Sequence, residues 1–281
     1  DWLMLTWLTS GKAPENVEDY VAVMDDRQYN LYLCLTEQFQ KLLRTSDQSY
    51  FLLEAGKRPF WRGDYARAAA CFRQGMDMAY REGSLLIMME CCGNLAACYS
   101  CLNQLTQTRE YYTTAIRMAR SLGRAKDVAI IAYNLATTEL QLGLTEDALR
   151  HLLEHPWNEA VYFQKLAICY AQIGQKEKAQ AALDQMLAAP LTVLLEGTSG
   201  ETDQIRDIFK QIYQLVHIRL ENPNYLKDPE YGGILISCIH SMKSSLPMGF
   251  LQFYAAWLEE WYLANRQYRK AHDVLRTFFI N

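Results

Sequence analysis

Metal-dependent and nucleophilic chemistry needs particular side chains at particular spacings, and this 281-residue chain offers three candidates. The first is Asp25-Asp26, adjacent carboxylates on a helical stretch. Such a pair holds a divalent cation only with further acidic ligands. Tyr29 stands where another Asp would continue the motif, and no second acidic cluster completes it. A solvated helix end accounts for the pair. The second candidate is His272-Asp273, a dipeptide found at the centre of metal-dependent phosphohydrolase sites. The five His residues (151, 155, 217, 240 and 272) show no ligand spacing around it. The third is Cys98-x-x-Cys101, whose zinc-like spacing requires a second Cys or His pair. Without one, the eight cysteines read as buried thiols: Cys91, Cys92, Cys98 and Cys101 crowd one helical stretch, while Cys34, Cys71, Cys169 and Cys238 are scattered. That usage fits a reducing cytoplasm. There is no Gly-rich phosphate loop, nucleophile elbow or His-Glu-x-x-His. The expectation is a protein without catalytic residues, metal or cofactor.

Composition points to helices that must position residues for some other purpose. Half of the residues are hydrophobic and 21 % are charged, enough for a large core. Gly and Pro number 14 and 7, well below the roughly 12 % of an average chain, which argues against a turn-rich all-β fold. With 28 basic and 32 acidic residues the net charge is −4, so the chain lacks the clustered positive charge that nucleic-acid binding requires. No apolar run approaches the ~18 residues of a membrane span. The chain opens Asp1-Trp2-Leu3, with neither Met nor the pattern of a signal peptide, and reads as a piece of a longer protein.

Internal repetition sets the architecture. Asn94-Leu95-Ala96-Ala97-Cys98-Tyr99 recurs 40 residues later as Asn134-Leu135-Ala136-Thr137-Thr138-Glu139, and after a further 31 as Lys165-Leu166-Ala167-Ile168-Cys169-Tyr170. Fourteen residues past each start come Thr108, Ala148 and Ala179; four residues later come Tyr112, Leu152 and Leu183. One unit earlier, Glu54-Ala55-Gly56 leads to Ala68 and Phe72 at the same offsets. Apolar residues return at three- and four-residue steps, the stripe of an amphipathic helix. Short turns divide each unit in two: Trp61-Arg62-Gly63-Asp64, Leu102-Asn103-Gln104, Leu142-Gly143-Leu144 and Ile173-Gly174-Gln175. A lone hairpin cannot bury its apolar face, so units must stack.

This pattern resembles the tetratricopeptide repeat (TPR) over about residues 48–190, in four units. Pro59 and Glu139 stand where the family usually has Tyr, kept here as Tyr99 and Tyr170, and Thr108 replaces the usual Ala. Forty-residue spacing is longer than the family's thirty-four, and His155-Pro156 ends the third unit's second helix early. The resemblance implies an all-α fold, a right-handed α-α superhelix of helix hairpins. Residues 1–47 form a helical flank, with pieces at 2–9 and 15–24 and a helix over Asp26–Arg44. Residues 191–281 add C-terminal hairpins: after a loop around Gly197-Thr198-Ser199-Gly200, helices are expected over Asp203–Leu220, Tyr231–Met242, Phe250–Asn265 and Tyr268–Phe279. The last two resemble a capping unit, with Leu258 and Tyr262 at the right offsets from Ala271 and Leu275. The whole is expected to be one continuous solenoid.

The resemblance also implies that the first helix of each unit lines a concave groove. The residues expected there are Tyr50, Glu54, Lys57, Trp61, Asn94, Tyr133, Asn134, Thr137, Gln141, Gln164 and Lys165. An amide offers both donor and acceptor, so Asn94 and Asn134 could pair with the backbone of an extended peptide whatever its side chains. The alternative is a local hydrogen bond within the helix. Tyr and Trp beside them suit anchor pockets. The expected partner is a short peptide or protein segment; nucleic acid and membrane are not expected, and a homodimer stays open. Long units, irregular flanks and the stretch Pro247–Phe279, with Trp257-x-x-x-Trp261 and Asn265-Arg266-Gln267-Tyr268, resemble the sensory TPR domains of bacterial transcription regulators. In these a helix-turn-helix domain precedes the repeats; here it would lie outside the chain. A general protein–protein scaffold is the alternative, and a helical metal-dependent enzyme a remote one. A carboxylate clamp of the co-chaperone kind is disfavoured, since the groove lacks a dense basic set.

Overall fold

The structure, a computed structural model, describes residue 27 and residues 45–279 apart from 193–201, 244 and 247. The pieces expected at 2–9 and 15–24, Asp25-Asp26, Cys34, the loop at 197–200 and all but Arg27 of the first 44 residues lie outside the described set. Every regular element among the described residues is helical. In chain order these are α1 Thr45–Trp61, α2 Tyr65–Glu82, α3 Leu85–Cys101, α4 Leu105–Ser121, α5 Ala125–Gln141 and α6 Thr145–Glu154. Then come α7 Ala160–Gln172, α8 Lys176–Ala188, α9 Thr202–Glu221, a single 3-10 turn at Tyr225–Lys227, α10 Pro229–Met242, α11 Met248–Ala264 and α12 Tyr268–Phe278. No described helix is long and apolar enough to cross a membrane. The chain divides into two compact units, residues 1–99 with 106–125, and residues 100–105 with 126–281.

The turns form where the breakers stand. Gly63, Gly143 and Gly174 adopt φ of 81°, 75° and 77°, a region costly for any residue with a Cβ. Asn103 (φ 56°) and Arg266 (φ 57°) take the same conformation in the equivalent turns, which places Arg266-Gln267-Tyr268 structurally where Gly63-Asp64-Tyr65 stands. Asp64 then caps α2, its carboxylate accepting from the Arg67 amide at 3.2 Å. Helix α6 has only ten residues and stops at His155, ahead of Pro156.

In the first unit the small–large alternation is physical contact. Phe72 is fully buried, and a Cβ built on Gly56 would lie 2.5 Å from its ring. Gly56 is what lets α1 and α2 approach closely enough to bury that ring, a burial contributing about 2–3 kcal/mol. In the second unit one apolar cluster runs from Ala136 and Leu140 on α5 through Ala148, Leu152, Ala167, Ala179 and Leu183 to α9, α10, α11 and α12. The alanines at the repeat positions are completely buried. Helices α9 and α10 form a hairpin between the fourth repeat and the last pair. Its packing also depends on a glycine, since a Cβ on Gly232 would collide with the Trp261 ring. Arg219 of α9 ties this region together: its guanidinium lies 3.9 Å from the Trp257 ring and 4.6 Å from that of Tyr225, and it donates to the Tyr225 hydroxyl at 2.8 Å.

Candidate functional site

Each unit carries its own set of the expected groove residues. In the first, Tyr50, Glu54, Lys57 and Trp61 follow one another along α1. Glu54 is buried and is paired at 2.7 Å with Lys57, three residues on. Trp61, at the end of the helix, is 60 % exposed. Asn94 on α3 is half-buried, and its amide nitrogen donates to the Glu90 carbonyl at 2.9 Å. One of its donors is therefore spent on its own helix, the local alternative raised by the sequence.

In the second unit, Tyr133, Asn134, Thr137 and Gln141 lie on α5 at helical spacing. Tyr133 packs edge-on against Trp157 at 6.0 Å, and burial raises its hydroxyl pKa. Thr137 donates back to the Tyr133 carbonyl at 3.0 Å. Asn134 is half-buried, and among the described residues its side-chain amide has no hydrogen-bond partner. The Gln141 side-chain carbonyl is also buried and without a partner among the described residues. An unsatisfied buried amide costs about 1–3 kcal/mol, so α5 presents polar groups with unused hydrogen-bonding capacity.

Gln164 and Lys165 were expected on an open surface, and the structure places both inside. They are 0 % and 1 % exposed, and both meet side chains of α11. Gln164 donates to the Tyr254 hydroxyl, while its own carbonyl oxygen has no partner among the described residues. The Lys165 amine sits 3.4 Å from the Phe253 ring centroid, with Phe250 at 5.5 Å and Tyr254 at 5.8 Å. Burial lowers its pKa from 10.5 to about 7, the nearby Cys169 opposing weakly. Ring faces return about 2 kcal/mol to a desolvated cation, or about 1.5 pKa units. Desolvation of the fully buried amine is the larger effect and sets the direction.

Repeat offsets do not reveal the α7–α11 contact. A signal was present: Met248–Ala264 is apolar on nearly every face, which marks a buried helix, whereas an end cap needs a polar outer side. The repeat pattern marks Glu139 at the family's Tyr position but does not reveal its partner. Glu139 is wholly buried and pairs at 2.8 Å with His151 of α6.

The enzyme candidates acquire no constellation. His272 and Asp273 are exposed on α12, and no group of three His, Cys, Asp or Glu among the described residues could hold a metal. Cys98 and Cys101 are buried, and all seven described cysteines are free thiols. Burial pushes Cys91, Cys92, Cys169 and Cys238 up to about 12, the opposite of an activated nucleophile. An open depression of about 400 Å³ lies on α6, lined by Glu146, Leu149, Arg150, Leu153 and Glu154.

No protein-family model matches the chain, and no curated protein matches it by sequence. Its fold is shared by solved structures, among them these two. A Rap protein complexed with competence and sporulation factor superposes with a TM-score of 0.63 at 16 % identity, over 86 % of this chain and 66 % of that one. Aspartyl phosphate phosphatase F from Bacillus subtilis gives 0.61 at 11 % identity, over 98 % and 67 %. This chain thus spans about two thirds of the length of each. At these identities the likeness is one of fold: the chain is an all-α protein of TPR-like helix hairpins.

Proposed function

We propose that this chain is a non-catalytic recognition module that binds a short peptide or protein segment along α5, through Tyr133, Asn134, Thr137 and Gln141. The observation that carries the reading is the unused hydrogen-bonding capacity of Asn134 and Gln141 on α5. The fold shared with a Rap protein complexed with competence and sporulation factor supports it. Main-chain groups of an extended segment are the natural complement of neutral amides, and Tyr133 offers an aromatic edge. On the first unit, Tyr50, Lys57, Trp61 and Asn94 are a separate candidate surface. Gln164 would contribute only where α11 admits a ligand. The free, high-pKa thiols suit a reducing cytoplasm.

The more specific reading is the ligand-sensing part of a bacterial transcription regulator, and it rests on sequence resemblance. A general scaffold is the alternative, to which the exposed apolar depression on α6 lends an observation of its own. Selection from a random peptide library followed by calorimetry separates them. Asn134→Ala with Tyr133→Ala should weaken a selected peptide by tenfold or more, as expected for loss of one or two buried contacts. Unchanged affinity would remove α5 as the site.

A further inference from the structure

A lysine as deeply buried as Lys165 requires compensation, and no carboxylate supplies it among the described residues. Cys169, one turn along α7, is the titratable group that acts on the amine directly, and burial holds its thiol at about 12. From α11, Tyr254 faces the amine, and burial raises its hydroxyl well above the ordinary range. Tyr133 of α5 and Cys238 of α10, which act on Tyr254, are raised by burial too. Glu139 of α5 acts on Cys169 and is paired with His151 of α6. The thiols and phenols around the amine are therefore neutral between about pH 7 and pH 10. Among these thiols, phenols and the amine, Lys165 is the group whose charge changes over that range, and its amine rests on the Phe253 ring where a charged form is poorly solvated.

We propose that the contact between α7 and α11 is a proton-controlled clasp, tight when the Lys165 amine is neutral and loosened when the amine takes up a proton. The sign follows from linkage. The folded-state pKa is lowered, so a loosened or unfolded chain binds the proton first as the pH falls from about 10.5. The closed form loses stability progressively down to about pH 7, below which both forms are protonated and the penalty is constant. Loosening would uncover Gln164 and Lys165, which the closed form sequesters. The clasp stands whether or not α5 binds a peptide.

The test compares the full chain with Lys165→Met and Lys165→Gln. Urea denaturation between pH 7 and pH 9.5 should show the wild-type unfolding constant falling by up to about tenfold per pH unit. Lys165→Met should be more stable than wild type at pH 7 and should lose this pH dependence. Hydrogen exchange at pH 7 should slow in α7 and α11 of that variant and stay unchanged in α2. Carbon-13 NMR of lysine Cε in the wild type, with the Lys165 resonance assigned by its absence from Lys165→Gln, gives the answer even if Lys165→Met fails to fold. A Lys165 titration near 10.5, or an unaltered pH slope in the variants, would overturn the clasp.

Discussion

Asn94 and Asn134 occupy the same place in successive repeats and use their amides differently. Asn94 bonds back to the Glu90 carbonyl; Asn134 has no side-chain partner among the described residues. Replacing either by Ala gains the same helix propensity, so the difference between the two variants isolates the hydrogen bond. Asn94→Ala should therefore cost about 1 kcal/mol more stability than Asn134→Ala, read by urea denaturation. Equal effects would mean that the Asn134 amide is satisfied within the fold and is not held ready for a ligand. Such differences are not legible in a sequence, since identical residues on identical helical phases diverge through a rotamer choice. The fate of Lys165 was hidden for another reason. It matches Asn94 and Asn134 by repeat position, yet its surroundings come from Phe250, Phe253 and Tyr254, far along the chain on α11.

The hairpins follow from local chemistry. Turn glycines at Gly63, Gly143 and Gly174, the cap at Asp64 and the stop at His155-Pro156 fix where helices begin and end. For this reason helix boundaries in the repeat region were readable from residues alone. Close approach was readable as well, through the small residues. Gly56 is the sharpest case: Ala would favour the helix by about 1 kcal/mol, but its Cβ would collide with Phe72. Overpacking of this kind costs about 1–3 kcal/mol. Gly56→Ala should thus lower the melting temperature, and Phe72→Leu in the same chain should recover part of the loss, because a smaller side chain gives way. A melting temperature raised by Gly56→Ala alone would show that α1 and α2 are not so tightly apposed. The identity of α11 as a buried helix was less legible. Its resemblance to a capping helix rests on Leu258 and Tyr262 at repeat offsets, while its burial on both sides depends on neighbours that no offset reveals.

For the molecule as a whole, the balance of 28 basic and 32 acidic residues and the neutral side chains on α5 predict how binding responds to salt. Tyr133, Asn134, Thr137 and Gln141 carry no charge, and the Lys165 charge is buried away from solvent. Affinity for a selected peptide should change by less than about threefold between 50 and 500 mM salt, because screening acts on exposed charges. A steep decline would point to an ionic clamp on another surface. The class of fold was legible because repetition, turns and periodicity agree with one another. The ligand was not, because it depends on which few polar groups remain unsatisfied after packing. The most direct measurement is a crystal structure of the protein with a library-selected peptide. Main-chain hydrogen bonds from the peptide to the Asn134 amide, with Tyr133 against a peptide side chain, are the predicted result. A peptide seated between Leu149 and Leu153 on α6, with Asn134 untouched, would contradict it.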